Sequence, residues 1–487
     1  MADGPRFAAA DLGAESGRVV VGTLGDGGVA LDVVHRFANR PVRLPDGLRW
    51  NVLGLLDGIL DGLRAAGPVD GVGVDAWGVD YGLVDDGGRL LGPPFHHRDA
   101  RTAGMVARAF ERIPRGELYA TTGIQTMAIN TVFQLLADEG TPALDAAARL
   151  LLIPDLLALW LCGEAANEVT AASTTGLLDA RTGAWAQDAI ARLGLPARLF
   201  GALVEPGTAL GELLPEHGVD GAPLVRAVAG HDTASAFAAA PIDGEDSAIL
   251  SSGTWSLLGL ELPQPALGPD AAAANLTNER GVDGTTRLLK NVMGLWLVQE
   301  CRRAWGGHDY DELHRLAADA AGDVPLIDPD DEAFLAPGGM PARIAEHCAR
   351  AGQRAPATPG ETVRTILVSL ACKYRLVLRG LEQVTGRRVR CVHVIGGGAR
   401  NALLCQLTAD VLELPVLAGP VEATALGNVL VQARAAGLLG SLGQLRALAA
   451  ASAQPQTFEP ATDREADYER FLAVTRLSEP PVKEKIT

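Results

Sequence analysis

Apolar and polar positions along the 487-residue chain fall into short blocks. Residues 7–10 form an apolar run that meets the turn-rich Asp11-Leu12-Gly13-Ala14-Glu15-Ser16-Gly17, and residues 19–24 are apolar again. Strand, glycine-rich turn and strand in that order predict a β-hairpin. The pattern returns about 240 residues later, where residues 248–250 run into Ser251-Ser252-Gly253-Thr254 and residues 255–260 continue, and so long a period predicts two similarly built halves. The polar segment Pro241-Ile242-Asp243-Gly244-Glu245-Asp246 has turn chemistry and sets the boundary, giving domains at 1–243 and 244–487. Strand candidates at 72–76, 151–153, 225–229 and 391–395 alternate with helical patterns at 102–112 and 362–385, which makes the fold class α/β. Residues 425–436, small and apolar, predict a buried helix, and residues 480–485 a solvated tail.

Charge narrows the partners. Asp and Glu outnumber Lys and Arg by 59 to 42, a net charge of −17, and no stretch gathers basic residues into a phosphate-binding stripe. Nucleic acid is therefore not an expected partner, and an anionic ligand must be held by local devices: backbone amides, a few cations or a metal. The six cysteines, at 162, 301, 348, 372, 391 and 405, lack a C-x-x-C pair and histidines at ligand spacing. They are expected to be reduced, cytoplasmic thiols rather than a zinc site or disulfide framework. The N-terminus has no basic segment before an apolar run, and the most apolar stretch, 150–162, is interrupted by Pro154 and Asp155, so neither export nor membrane insertion is expected.

Six segments carry candidate chemistry. In the first turn, Gly13 and Gly17 let backbone N–H groups approach an anion, Ser16 can donate a hydrogen bond, Arg18 can neutralise phosphate, and Asp11 can hold hydrated magnesium. The same residues also suit an ordinary tight hairpin, and no Walker loop is present. Ser251 to Thr254 repeats this chemistry. Gly396-Gly397-Gly398, after a strand and before a helix, offers either a flat shelf for a nucleoside or a tight turn with Asn401 capping the helix. Asp232, in Gly230-His231-Asp232-Thr233, is placed either to take a proton from a hydroxyl attacking a phosphoryl group or to cap a helix. Two polar islands, 75–81 and 290–299, set aromatic rings beside Asp, Asn and Gln, as a polyhydroxylated ligand requires; Trp77 and Trp296 suit a core equally well.

Taken in order, D-L-G-A-E-S-G-R (11–18), D-A-W-G-V-D (75–80), G-H-D-T-A-S-A (230–236), S-S-G-T-W-S-L (251–257), L-K-N-V-M-G-L-W (289–296) and G-G-G-A-R-N (396–401) span nearly the whole chain and resemble the FGGY carbohydrate kinases. Segments 97–102, 123–125, 130–131 and 419–423 extend the likeness. The resemblance implies two actin-like, ribonuclease H-like domains flanking a deep catalytic cleft, and transfer of the ATP γ-phosphoryl group, with Mg2+, to the 1-hydroxyl of a small ketose, L-rhamnulose. It implies Asp232 as catalytic base, and Gly78, His231, Asp232, Thr233 and Asn291 as sugar-binding positions. Ala14, Glu15, Ser16, Gly17, Arg18, Thr254, Gln299, Gly397 and Gly398 match the ATP site, and Asp11 the residue near the metal. Glu15 stands where relatives often carry a small residue, so its part in ATP binding is expected through the backbone. A cytoplasmic monomer or homodimer is implied. Two alternatives stay open: a kinase of this family for L-fuculose, xylulose or a linear signalling sugar, and an actin-like ATPase with no small acceptor.

Overall fold

Both turn-rich segments fold as antiparallel hairpins in the computed structural model, which describes residues 4–479 except 26, 243, 321 and 454. The tail expected at 480–485 lies outside the described residues. The chain divides into two units, one of Met1–Pro241, Glu261–Leu288 and Ala423–Ala453, the other of Ile242–Leu260, Leu289–Glu422 and Gln454–Thr487.

The first unit is built on strands β1 (Arg6–Leu12), β2 (Ser16–Gly25), β3 (Gly28–Ala38), β4 (Gly71–Ala76), β5 (Ala209–Glu212) and β6 (Leu224–Arg226), side by side in the order β5-β6-β4-β1-β2-β3. β1 pairs antiparallel with β2 and parallel with β4. Its side chains point alternately to opposite faces, and both faces are covered. Ala8, Ala10 and Leu12 pack with apolar residues of helices Val52–Ala66 and Ile153–Cys162, whereas Phe7 and Ala9 pack with Ala234, Ala238, Leu426 and Val429. The small, apolar helix expected at 425–436 is therefore Ala423–Ala435, buried against the sheet. Its Gly427 meets the helix Asp232–Ala238 so closely that an added Cβ would lie 1.8 Å from the Ser235 carbonyl oxygen.

The second unit repeats the motif. Strands β7 (Ser247–Ser252), β8 (Trp255–Leu262), β9 (Cys391–Ile395), β10 (Val416–Ala418) and β11 (Gln456–Phe458) run in the order β8-β7-β9-β10-β11, with β7 antiparallel to β8 and parallel to β9. The helix expected at 362–385 begins earlier, at Pro359, because Thr358 caps it by accepting the Glu361 N–H and proline is tolerated in the first turn; Gly386, at φ 70°, ends it.

Three boundaries differ from the sequence pattern for local reasons. Residues 151–153 were expected as strand, but the strand is Arg149–Leu152 and Ile153 already begins a helix, since Pro154 needs no N–H partner there. The helix expected at 102–112 starts at Met105, after Gly104 in the left-handed conformation. The strand expected at 225–229 ends at Arg226; beyond it Ala227 bonds Gly207 and Thr208, and the Ala76 N–H to Gly230 carbonyl bond, 2.9 Å, leads the chain to Asp232.

Candidate functional site

Asp232 opens the helix Asp232–Ala238. His231, not Asp232, occupies the cap position, and it does so without a capping side-chain bond. The Asp232 Oδ1 accepts from the Thr233 N–H at 2.5 Å and the Thr233 hydroxyl at 3.0 Å, while 30% of the side chain stays exposed. A carboxylate anchored by one oxygen and open at the surface is able to receive a proton. Burial raises its proton affinity above the ordinary range, His231 opposes this, and the charge of Asp11 adds to it.

The loop that delivers Asp232 is held by Glu168. Its carboxylate accepts from the N–H groups of Thr170 (2.8 Å), Ala171 (3.0 Å) and Gly230 (2.9 Å) and from the Thr170 hydroxyl (2.6 Å). That hydroxyl in turn accepts the His231 N–H at 3.3 Å. Burial outweighs these four bonds and pushes the Glu168 carboxyl up to about 7 from an ordinary 4.5. Between those values the folded chain holds a proton the unfolded chain has lost, so this group favours the folded state below pH 4.5 and loses that contribution as pH rises through about 7. Unfolding free energies measured for the parent and Glu168→Gln should differ by an amount that shifts against the parent between those pH values, at up to about 1.4 kcal/mol per unit. A pH-independent difference would refute the coupling.

In the first turn, Asp11 and Arg18 are cross-strand partners, and the Arg18 Nε and Nη2 both reach the Asp11 Oδ2, at 3.0 and 2.6 Å. Ala14 and Glu15 form the tip with Gly13, closed by the Gly13 N–H to Ser16 carbonyl bond and braced by Asn39, which bonds the carbonyls of Gly13 and Glu15. Ser16 is exposed and available to a ligand. Gly17 has a different reason to be glycine from the anion approach expected: a Cβ there would lie 2.3 Å from the Phe37 ring.

The turn of the second unit is docked on a helix start. The N–H groups of Leu295 and Trp296 donate to the carbonyls of Gly253 (3.0 Å) and Thr254 (3.1 Å), which satisfies donors that helix Trp296–Trp305 cannot pair within itself. One turn later the Gln299 Nε2 donates to the Thr254 Oγ1 at 3.2 Å. These two expected ATP-site residues are therefore neighbours, and among the described residues the buried Gln299 Oε1 has no hydrogen-bond partner. Gly397 and Gly398 differ. Gly397 is exposed in open space, whereas Gly398 is buried and a Cβ on it would strike the Ser252 Oγ at 2.0 Å. The segment Gly397–Arg400 is a 3-10 turn, after which Asn401 caps the helix Ala402–Leu412 through the Leu404 N–H. The tight turn with Asn401 as helix cap is what this segment forms.

Of the expected sugar-site positions, Gly78 lies in a tight turn of the first unit. The Asp80 N–H returns to the Gly78 carbonyl at 2.9 Å, and Val79 between them has φ 67°, a strained value for a β-branched residue. Thr174 and Thr131 hold that strain by bonding the Val79 N–H and carbonyl. Beneath it, the buried Asp80 accepts from the indoles of Trp50 (2.6 Å) and Trp77 (2.9 Å), from Gln134 (2.9 Å) and from the His97 ring (2.8 Å). Burial works against the Asp80 charge, but His97, His96 and Gln134 outweigh it and hold the carboxyl below the ordinary range. Trp77, packed on Trp50 with ring centroids 4.1 Å apart, and Trp296, bonded to the Phe334 carbonyl, are core residues. Asn291 sits half-buried on the strand Thr286–Met293 in the second unit.

For a divalent metal, the first unit offers Asp11 at the end of β1. Its register partner on β4, Asp75, is fully buried; burial, then the charges of Asp11 and Asp232, hold it well above the ordinary range, and it takes a 2.6 Å bond from Asn428. Burial thus disfavours a charge on Asp75, while Asp11 carries the ion pair with Arg18. Among the described residues no group of three or more His, Cys, Asp or Glu is arranged to hold a metal.

Sequence reasoning missed Glu168, Glu279 and Arg287, all of which bear on His231. Glu279 and Arg287 lie on strands whose charged residues break any apolar pattern, so a run of charge inside an otherwise unassigned stretch was the one signal available.

Comparison with known proteins identifies the family. Residues 65–238 match the N-terminal domain, and residues 248–436 the C-terminal domain, of the FGGY family of carbohydrate kinases. The chain is 41% identical to the rhamnulokinase of Bacteroides thetaiotaomicron over 93% of this chain and 96% of that one. It is 40% identical to the rhamnulokinase of Pectobacterium carotovorum over 98% of each. In fold it resembles the ligand-bound xylulose kinase of Lactobacillus acidophilus (TM-score 0.76, 15% identity, 96% of each chain). It also resembles the glycerol kinase of Plasmodium falciparum with ADP (TM-score 0.74, 15% identity, 97% and 98%). The chain has the two-domain, ribonuclease H-like and actin-like fold of these enzymes and belongs to the FGGY family of carbohydrate kinases, which are ATP-dependent sugar kinases.

Proposed function

We propose that this enzyme transfers the γ-phosphoryl group of ATP to the 1-hydroxyl of L-rhamnulose, giving L-rhamnulose 1-phosphate in the breakdown of L-rhamnose. The substrate assignment is carried by 41% identity to a rhamnulokinase over 93% of the chain. Chemically, an alcohol is a poor nucleophile until a base takes its proton, and phosphoryl transfer then depends on positioning and charge neutralisation. Asp232, anchored through one oxygen by Thr233, is the base. Gly78, His231, Thr233 and Asn291 orient the sugar. Ala14, Glu15, Ser16, Gly17 and Arg18 hold phosphates, with Glu15 acting through its backbone; Thr254, Gln299, Gly397 and Gly398 hold the rest of the nucleotide. Asp11 would hold Mg2+, which when bound neutralises phosphate charge. In this reading domain 1–243 carries the sugar site, the first phosphate loop and the base, and domain 244–487 the second loop and the adenosine site. A ketose and ATP are the partners of a cytoplasmic monomer or homodimer that binds neither nucleic acid nor membrane. Among the described residues no helix is long and apolar enough to cross a membrane.

A coupled assay of ADP release across L-rhamnulose, L-fuculose, L-xylulose, D-xylulose and glycerol tests the proposal. The highest kcat/KM is expected with L-rhamnulose. Preference for another acceptor overturns the sugar assignment, and ADP release indifferent to every acceptor points instead to an actin-like ATPase.

A further inference from the structure

Beneath the sugar-site histidine lies an ion pair that the reaction scheme above does not use. Arg287, fully buried, reaches the Glu279 Oε2 with its Nη1 at 3.1 Å and the His231 Nδ1 with its Nη2 at 3.2 Å. The Glu279 Oε2 is 3.3 Å from the same ring nitrogen. On the other side of the ring, Nε2 lies 3.5 Å from the Asp232 Oδ1.

A neutral imidazole has one N–H and one lone pair, and whichever group bonds one nitrogen decides which of them the other presents. Arg287 is only a donor. Burial disfavours its charge and Glu279 opposes this only in part, yet a guanidinium keeps its protons. We propose that Arg287, charge-balanced by Glu279, is a positioning residue that fixes His231 as the tautomer protonated on Nε2. The inference rests on the reading of Asp232 as base. Its chemical consequence is a donor beside an acceptor: a hydroxyl group can take the Nε2–H on its oxygen while giving its own proton to the carboxylate. With the opposite tautomer, two acceptors would face the same hydroxyl, which has one proton to give. The acids around this centre are Asp11 on β1, Asp75 on β4, Glu168 ahead of helix Val169–Ser173 and Glu261 on β8, and the nearby cations Arg18 and Arg446 are turned to Asp11 and Glu261. Arg287 is accordingly the donor that the geometry offers to Nδ1.

The test is nitrogen-15 NMR of histidine-labelled full-length enzyme, at a pH above the ordinary histidine range, together with kinetics of Arg287→Met and Arg287→Lys. In the parent, the His231 resonances should report protonation on Nε2; protonation on Nδ1 overturns the proposal. Arg287→Met should lose that tautomer preference and lower kcat at least about tenfold, since a histidine in the wrong tautomer disables a hydroxyl-activating site. The KM for ATP should hold, and Arg287→Lys, which keeps a donor, should recover part of the loss and the parental spectrum. Parental kcat in Arg287→Met overturns the proposal. Should that variant fail to fold, the parental spectrum and the lysine variant still decide. Asp232→Asn tests the base separately: if it stays active, that reading fails while the His231 spectrum still reports on Arg287.

Discussion

Replacing Asp232 by Asn is expected to lower kcat by about two orders of magnitude or more, the usual weight of a general base, with folding and ATP binding unchanged. Asn keeps the oxygen that accepts from the Thr233 N–H and hydroxyl, so the helix start survives and only the proton acceptor is lost. Burial raises the affinity of Asp232 for a proton. In the parent, kcat/KM should therefore fall on the acid side at a pH above the ordinary carboxylate value, as the base becomes protonated. Steady-state kinetics over pH, thermal melting and ATP titration check this together. Turnover near the parental value would remove Asp232 from its role.

The second large effect is expected at a residue remote in sequence from the chemistry. Gly427→Val should destabilise the enzyme by more than the roughly 1–3 kcal/mol usual for overpacking, a sizeable part of a typical 5–15 kcal/mol. The first atom of any side chain at 427 would lie 1.8 Å from the Ser235 oxygen and 2.6 Å from its carbonyl carbon. Backbone cannot swing aside as a side chain can, so the helices Ala423–Ala435 and Asp232–Ala238 must separate. Ser235 sits one turn after Asp232, and a displacement of about 1 Å at a reacting group costs on the order of 100-fold in rate. Gly427→Ala, the smaller change, should therefore lower kcat as well as the urea midpoint. Gly116→Ala, in helix Arg115–Thr122 with open space around it, is the contrast and should be neutral or slightly stabilising. Parental stability in Gly427→Val would show that the helix contact is looser than described.

Local chemistry was legible along the chain. Glycine, serine and acidic residues between apolar runs determined the two hairpins, because turn conformations are set by neighbouring residues. Asn401 as a helix cap and the small-residue helix at 423–435 follow from patterns only a few residues long. The motifs around Asp232, Thr254 and Gly397 were sufficient to point to the family. The reason for a given residue was another matter where its neighbour was distant. Gly17 makes room for Phe37, Gly398 for Ser252 and Gly427 for Ser235, and nothing beside them in the chain says so. Glu168, Glu279 and Arg287 reach the His231 loop from three separate stretches, one of them 56 residues away, and their charges are balanced only where the strands bring them together. Sequence determined where strands, turns and caps begin, because those depend on a few adjacent torsions. Tertiary structure alone decided which buried charges meet and which glycines cannot bear a side chain, because both are properties of space shared by residues far apart in the chain.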